Sequence, residues 1–219
     1  MKNKISVIIP VYNQEKYIGR CLRSLLDQSV NIKDYEIVII NDGSTDNTSY
    51  ALNLFSGNNI KIINNEKNKG LPFCLNQGIK YSQSEFIIRV DSDDYVNKNY
   101  LLIMRLFLEL NNKIDAVACN YFLVDENENI IKTVDFLKEP IGCGIMFRKD
   151  QLHHIGLYDE KMKLHEEKDL MIRFLKKYKL ERINIPLYRY RRHQNNITNN
   201  YDNMEKYLQK LKNKHQHEN

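Results

Sequence analysis

Four short runs of β-branched and aliphatic residues, each breaking abruptly into a polar turn and then a helical pattern, constrain this chain more than anything else in it. The run Ile5-Ser6-Val7-Ile8-Ile9 stops at Pro10, which cannot donate to a central ladder. Residues 35–40 end in Asn41-Asp42-Gly43-Ser44-Thr45-Asp46, residues 60–63 in the polar stretch 64–70, and residues 86–90 in Asp91-Ser92-Asp93-Asp94. Between them, Tyr17/Ile18, Cys21/Leu22 and Leu25/Leu26, and later Leu71, Cys74/Leu75 and Gly78/Ile79, recur at the spacing of an amphipathic helix. Strands and helices alternating in this way imply βαβ units, a parallel sheet and right-handed crossovers. All the polar strand ends then share one rim, where open α/β sheets bind ligands, so Asn13, Asp42, Asn68, Asp91 and Asp93 are expected to converge.

Beyond Asp94 the pattern becomes α+β. Tyr100, Leu101, Met104 and Leu108 mark a helix, residues 115–124 and 130–134 read as a hairpin, and 141–147 as a strand whose glycines permit close backbone approach. A helix is expected near 165–178, and 188–193 alternates like an edge strand before turning basic. No linker or repeat divides the 219 residues, so 1–198 reads as one domain with halves of about 1–95 and 96–198. Residues 199–219 read as a polar, basic tail in which Met204, Tyr207/Leu208 and Leu211 suit a short surface helix or frayed coil.

The four cysteines, Cys21, Cys74, Cys119 and Cys143, lie far apart inside apolar runs, as small buried hydrophobes do, which fits a reducing cytoplasm. The run behind Met1-Lys2-Asn3-Lys4 is too short and too soon broken by Pro10 to read as a signal peptide, and no segment has the length to span a bilayer. A soluble protein is expected. Its net charge of +5 is uneven: residues 161–219 carry 15 Lys and Arg against 7 Asp and Glu. That end should face phosphates, nucleic acid or a membrane surface, or else be merely solvated.

Asp91 and Asp93 follow a buried strand at once, and hard carboxylate oxygens at such an exit suit Mg²⁺ or Mn²⁺, which in turn suits a phosphate. An acidic turn that caps the next helix is the plainer reading of the stretch taken alone.

Taken in order, the pieces resemble the family 2 glycosyltransferases of the GT-A fold across roughly residues 4 to 198. They are Ser6-Val7-Ile8-Ile9-Pro10-Val11-Tyr12-Asn13, Asn41-Asp42-Gly43-Ser44-Thr45-Asp46, Asn68-Lys69-Gly70, Asp91-Ser92-Asp93-Asp94, Gly156-Leu157-Tyr158-Asp159-Glu160 and Glu166-Glu167-Lys168-Asp169-Leu170-Met171-Ile172-Arg173. The resemblance implies an α/β fold with a Rossmann-like, mostly parallel sheet and a smaller α+β acceptor-side half. It also implies inverting transfer of a sugar from a nucleotide-diphosphate sugar, most often a UDP-sugar, to a hydroxyl of a saccharide or lipid-linked acceptor. Pro10, Val11 and Tyr12, with Asn13 beside them, match the loop against the base, and Asp42 the acid that reads uracil or ribose. Asn68 and Gly70 join this donor-binding set, Asp91 matches the position near the ribose, and Asp93 the holder of Mg²⁺ or Mn²⁺. His193 matches a C-terminal side chain that reaches the metal or diphosphate, while Arg191 and Arg192 could clamp the diphosphate or an anionic lipid-linked acceptor.

The family's base is generally the aspartate of a Glu-Asp pair, and here that position holds Glu167, whose extra methylene moves the carboxylate by about 1.5 Å. Glu166 and Asp169 are the alternative bases. Two other classes stay open. Sugar-nucleotide nucleotidyltransferases share a related architecture but use a Gly-rich, basic loop after the first strand, which Pro10-Val11-Tyr12-Asn13-Gln14 lacks. A non-catalytic sugar-nucleotide-binding module fits the replacement of aspartate by Glu167. Nucleic acid is not expected as a partner, because the rim acids would repel its backbone. The basic C-terminal portion suggests surface polysaccharide assembly, with peripheral attachment at the cytoplasmic membrane face.

Overall fold

The four alternating units fold as their spacing requires. In the computed structural model, which describes residues 4–55, 57, 59–194, 196, 199 and 201–216, they are β1 (Ile5–Val11), α1 (Ile18–Leu26), β2 (Tyr35–Asn41), α2 (Thr48–Asn53), β3 (Ile60–Asn64), α3 (Leu71–Tyr81) and β4 (Phe86–Arg89). There follow β5 (Tyr95–Val96), α4 (Tyr100–Leu110), β6 (Ala116–Val124), β7 (Ile130–Val134), β8 (Ile145–Arg148), α5 (Lys149–His154), α6 (Glu166–Leu175), β9 (Leu180–Arg191) and α7 (Tyr201–Gln216). One sheet runs β3-β2-β1-β4-β8-β6-β9-β5, with β7 paired to β6. It is parallel from β3 to β4, then mixed, because β8 lies antiparallel to both β4 and β6.

Helices cover both faces of β1, β2 and β4, which is why these strands are largely apolar rather than alternating, whereas the edge strand β3 is only partly buried. Val7, Ile9 and Val11 of β1 pack with α1 and α4, while Ile8 packs on the opposite face with Cys74, Leu75 and Ile79 of α3. The four cysteines are free and buried.

The second half departs from the sequence reading in four places. Residues 141–144 are not strand; Gly144, at φ +74°, turns the chain so that only Ile145–Arg148 joins the ladder. The expected edge strand at 188–193 is the end of the twelve-residue β9, which lies between β6 and β5. Pro186 is tolerated there because the register with β6 shifts on both sides of Asn120, its partner. The short elements β5 and α5 carry too few residues to show a periodicity. Finally, much of the basic tail is a docked helix: Leu211 of α7 is buried, and Lys214 reaches Asp159 at 2.8 Å and the fully buried Asp169 at 2.6 Å. A buried carboxylate needs such donors, and they come from 45 residues away in sequence.

The backbone of α3 rests directly on the sheet at Gly78, where a methyl group would come within 2.5 Å of Ile8 and 2.9 Å of Ile40. Gly78→Ala should therefore overpack this layer and cost about 1–3 kcal/mol. A lowered urea midpoint with an unchanged denaturant slope is the expected measurement.

Candidate functional site

A cleft of about 830 Å³ opens at the C-terminal ends of β1, β2 and β4. Pro10, Val11, Tyr12, Asn13, Asp42, Asn68, Gly70, Asp91 and Asp93 all line it, as do Glu166 and Glu167 from the start of α6. Strand ends from three separate units thus meet residues that the chain supplies some 75 positions later.

The wall at the ends of β1 and β2 is built by loops that bind one another. Asn13, at φ +52°, accepts the amide of Thr45 at 2.8 Å and donates its own amide to Ser44 at 3.0 Å. Asp42 is almost enclosed; it takes the amides of Lys69 and Gly70 at 3.0 and 2.8 Å and the side chain of Asn65 at 2.9 Å. Gly43 permits that closure, because a side chain there would strike the Lys67 backbone at 2.7 Å. Asp42 therefore shapes the loop that carries Asn68 and Gly70, and three donors already occupy part of its acceptor capacity.

The acidic stretch divides its work. Asp91 is gripped by Arg89 through both oxygens, at 2.6 and 3.1 Å. Asp94 is buried, accepting the Tyr188 hydroxyl at 2.7 Å and the Arg191 amide at 2.8 Å, so it anchors the turn to β9. Burial, then repulsion from Asp93 and Asp91, raises its pKa well above the usual aspartate range. Asp93 meets His193 Nε2 at 2.9 Å and Asn196 at 3.4 Å, both on the same oxygen. The His193 ring stacks on Tyr17 with centroids 4.8 Å apart. Asp91, Asp94 and Cys143 also place potential ligand atoms within 4.8 Å of one another. Those two carboxylates are committed to Arg89, Tyr188 and Arg191, and a thiol is a soft ligand, so Asp93 is the acid of this stretch with hard oxygen donors to offer a cation, and the His193 imidazole lies beside it.

Two of the expected donor-side residues, Arg191 and Arg192, do not line the cleft. The Arg191 guanidinium is buried outside the cleft lining and engaged with protein, donating to the carbonyls of Asp93 and Glu126 and pairing with Glu128 at 3.0 Å, which disfavours its expected role as a diphosphate clamp. Arg192 is exposed outside the cleft lining, with Nη2 reaching Asn199 at 3.3 Å. Both belong to a basic run, but the alternation of β9 turns Arg191 inward, and Arg192 lies just past the strand's end.

The three candidate acids of α6 have separate fates. Glu166 is buried and accepts Arg89 Nη1 at 3.0 Å. Burial pushes its pKa up to about 7, opposed by Arg89 and aided by repulsion from Glu167. Asp169 is fully buried outside the cleft lining, held by Arg173, Lys214 and His215. Burial raises its pKa, but the bonds from Lys214 and Arg173 outweigh this and lower it below the usual range. Glu167 is half-buried, lines the cleft and takes no hydrogen bond or ion pair among the described residues. The sequence reading did not anticipate the cleft-lining segments 140–143 and 163–165, or Met204 of α7. The glycines at 142 and 144 were their one visible signal.

A parallel first half of the sheet continued by a mixed half, with a cleft across the strand ends, defines the GT-A architecture. The chain belongs to glycosyl transferase family 2, whose model matches residues 6–171. Glycosyltransferase GlyG of Streptococcus pneumoniae is 34% identical over 131 residues, covering 58% of this chain and 42% of that protein. The poly(ribitol-phosphate) beta-glucosyltransferase of Bacillus spizizenii is 42% identical over 102 residues, or 45% of this chain and 16% of the relative. The crystal structure of residues 1–349 of Staphylococcus aureus TarS in complex with UDP superposes with a TM-score of 0.74 at 26% identity, covering 86% of this chain and 60% of that one. This chain thus spans less than half the length of these two curated relatives.

The pH response of Glu166 follows from its environment. Its folded-state pKa stands at about 7 against an ordinary 4.5, so between those values the folded chain holds a proton that the unfolded chain has lost. Stability contributed by this group therefore falls as pH rises through that window. Glu166→Gln should flatten the fall, as read from urea midpoints measured at about pH 5, 6 and 8.

Proposed function

We propose that this chain is the donor-binding and catalytic domain of a metal-dependent, inverting glycosyltransferase. It would move a sugar from a nucleotide-diphosphate sugar, a UDP-sugar first, to an acceptor hydroxyl during assembly of a cell-surface polysaccharide. The observation that carries this reading is the partnerless Glu167 carboxylate in the same cleft as Asp93, itself paired with His193.

The donor end suits a nucleotide diphosphate. Two neighbouring ligands of an octahedral Mg²⁺ or Mn²⁺ stand about 3 Å apart, and Asp93 Oδ2 and His193 Nε2 are separated by 2.9 Å. An ion held there would neutralise the charge that accumulates on the departing diphosphate. Pro10, Val11 and Tyr12 offer the apolar wall for a base, and the loop closed by Asp42 brings Asn68 and Gly70 to the same side. At the acceptor end, Glu167 takes the proton of the attacking hydroxyl, and a single base of this kind is what inversion requires.

The poly(ribitol-phosphate) glycosyltransferases among the relatives and the UDP complex of TarS support a UDP-sugar donor and a cell-wall polymer as acceptor. Exposed Lys161, Lys163, Lys168, Lys206, Lys210 and Lys212 support work at an anionic surface, which we place at the cytoplasmic membrane face.

A thermal-shift panel of nucleotides and nucleotide sugars, with and without Mn²⁺, tests the donor site, since a ligand of the folded state raises its melting temperature. UDP should stabilise the chain only with the metal, and chelation or Asp93→Asn should abolish that shift together with turnover. Glu167→Gln should keep the shift and lower turnover by about 10²–10⁴-fold. Full turnover by the Glu167→Gln protein would overturn the base assignment, and metal-dependent UDP binding without turnover of any UDP-sugar would mark a binding module instead.

A further inference from the structure

Arg89 stands between the two chemical ends of the cleft. It is the last residue of β4, buried to 9% exposure, and its guanidinium is divided between two motifs far apart in the chain. Nε and Nη2 bind both oxygens of Asp91 on the nucleotide side, while Nη1 donates to Glu166 in the first turn of α6, 77 residues later. A planar fork can hold two carboxylates at fixed angles, which the single ammonium of a lysine cannot do.

The geometry of a helix turns this bridge into an orientation for the next residue. Successive side chains on an α-helix point about 100° apart, so fixing Glu166 on Arg89 fixes the direction of Glu167. Nothing else bonds Glu167 among the described residues. The space beside it is also set. A side chain at Gly142 would lie 2.9 Å from Arg89 Nη1 and 3.0 Å from Glu167 Cβ, so the loop at 140–143 closes against both only because that residue has no Cβ.

The other ties of the α6 start lead to α7 and not to the sheet: Asp169, in the same first turn, pairs with Lys214 and His215. His165 precedes it in the left-handed region at φ +57°, where its side chain gives the helix no capping bond. Its Nε2 instead meets the carbonyl of Met204 on α7 at 3.1 Å. Among the described residues, the Arg89–Glu166 contact is thus the ion pair that joins the first turn of this helix to the sheet.

We propose that Arg89 is a positioning residue for Glu167. By holding Asp91 and Glu166 together it sets the base-bearing turn of α6 against the donor-side strand, with Gly142 leaving the room for that approach. A buried ion pair serving only the fold would affect donor binding and turnover alike, whereas a positioning role separates them. The inference rests on the transferase reading with Glu167 as base.

The test measures UDP affinity in Mn²⁺ by calorimetry and UDP release from a panel of UDP-sugars, for the full chain and for Arg89→Met, Arg89→Lys and Gly142→Ala. UDP release also registers transfer to water, so no acceptor is needed. In Arg89→Met the UDP Kd should stay within about threefold while kcat falls by about 100-fold, the loss that a misplacement of about 1 Å brings. Arg89→Lys should fall between Arg89→Met and the natural chain, and Gly142→Ala should lower kcat by about tenfold at unchanged UDP affinity. If Arg89→Met does not fold, the other two variants carry the same comparison. A kcat that survives the loss of Arg89, or a kcat and an affinity that weaken by one common factor, overturns the proposal. Should the natural chain bind UDP with Mn²⁺ yet release none from any UDP-sugar, the transferase reading fails by itself. The crystal structure of Arg89→Met then decides the positioning claim: a Glu167 carboxylate displaced by more than about 1 Å supports it, and one left in place overturns it.

Discussion

Asp94 is enclosed by protein, and the Tyr188 hydroxyl at 2.7 Å and the Arg191 amide at 2.8 Å meet its carboxylate there. Taking an acid out of water demands such donors, and the same demand recurs at each structural acid of this molecule. Asp42 draws in the amides of Lys69 and Gly70, and Asp169 draws in Arg173, Lys214 and His215. Each acid pulls a distant segment into place: the loop before α3, the end of β9, the helix at the far end of the chain. The cleft is the space these attachments leave between them. The acids that remain less engaged inside it, Asp93 and Glu167, are the ones with lone pairs to spare for chemistry.

This division explains which parts of the fold the sequence displays. β1, β2 and β4 are legible because both faces of each are covered, so burial writes itself as unbroken runs such as Ile37-Val38-Ile39-Ile40, and the edge strand β3, only partly buried, shows the shortest run. β9 is obscured. It begins with Leu180-Glu181-Arg182, contains Pro186 and ends in arginines, a composition that looks peripheral although Tyr188 is fully buried. Its stability comes from partners on β6 and β5 that no local window contains. For the same reason α7 looks like a tail until the buried carboxylate of Asp169 is placed beneath Lys214.

The candidate site was legible to the extent that strand ends announce themselves. Pro10 to Asn13, Asp42, Asn68, Gly70, Asp91 and Asp93 all follow apolar runs, and all reach the cleft. What spacing could not supply was the pairing. Glu166, Glu167 and Asp169 are equivalent as letters, and only the positions of Arg89, Lys214 and the loop at Gly142 set them apart. Arg191 shows the converse: a charge in a suggestive place can be turned inward by the alternation of a strand.

The contact between His165 and Met204 has a consequence for how this molecule is made. A chain leaving the ribosome at about 5–20 residues per second presents the β1–β4 unit first, and that unit can bury its own apolar faces early. The opposite wall of the cleft waits for β8 to slide beside β4, for β9 to reach β5, and for α7 to emerge and meet the start of α6. During synthesis, then, the rim formed by the β1, β2 and β4 strand ends exists for several seconds before there is a complete cleft for it to face, and one wall stands in water until the other arrives.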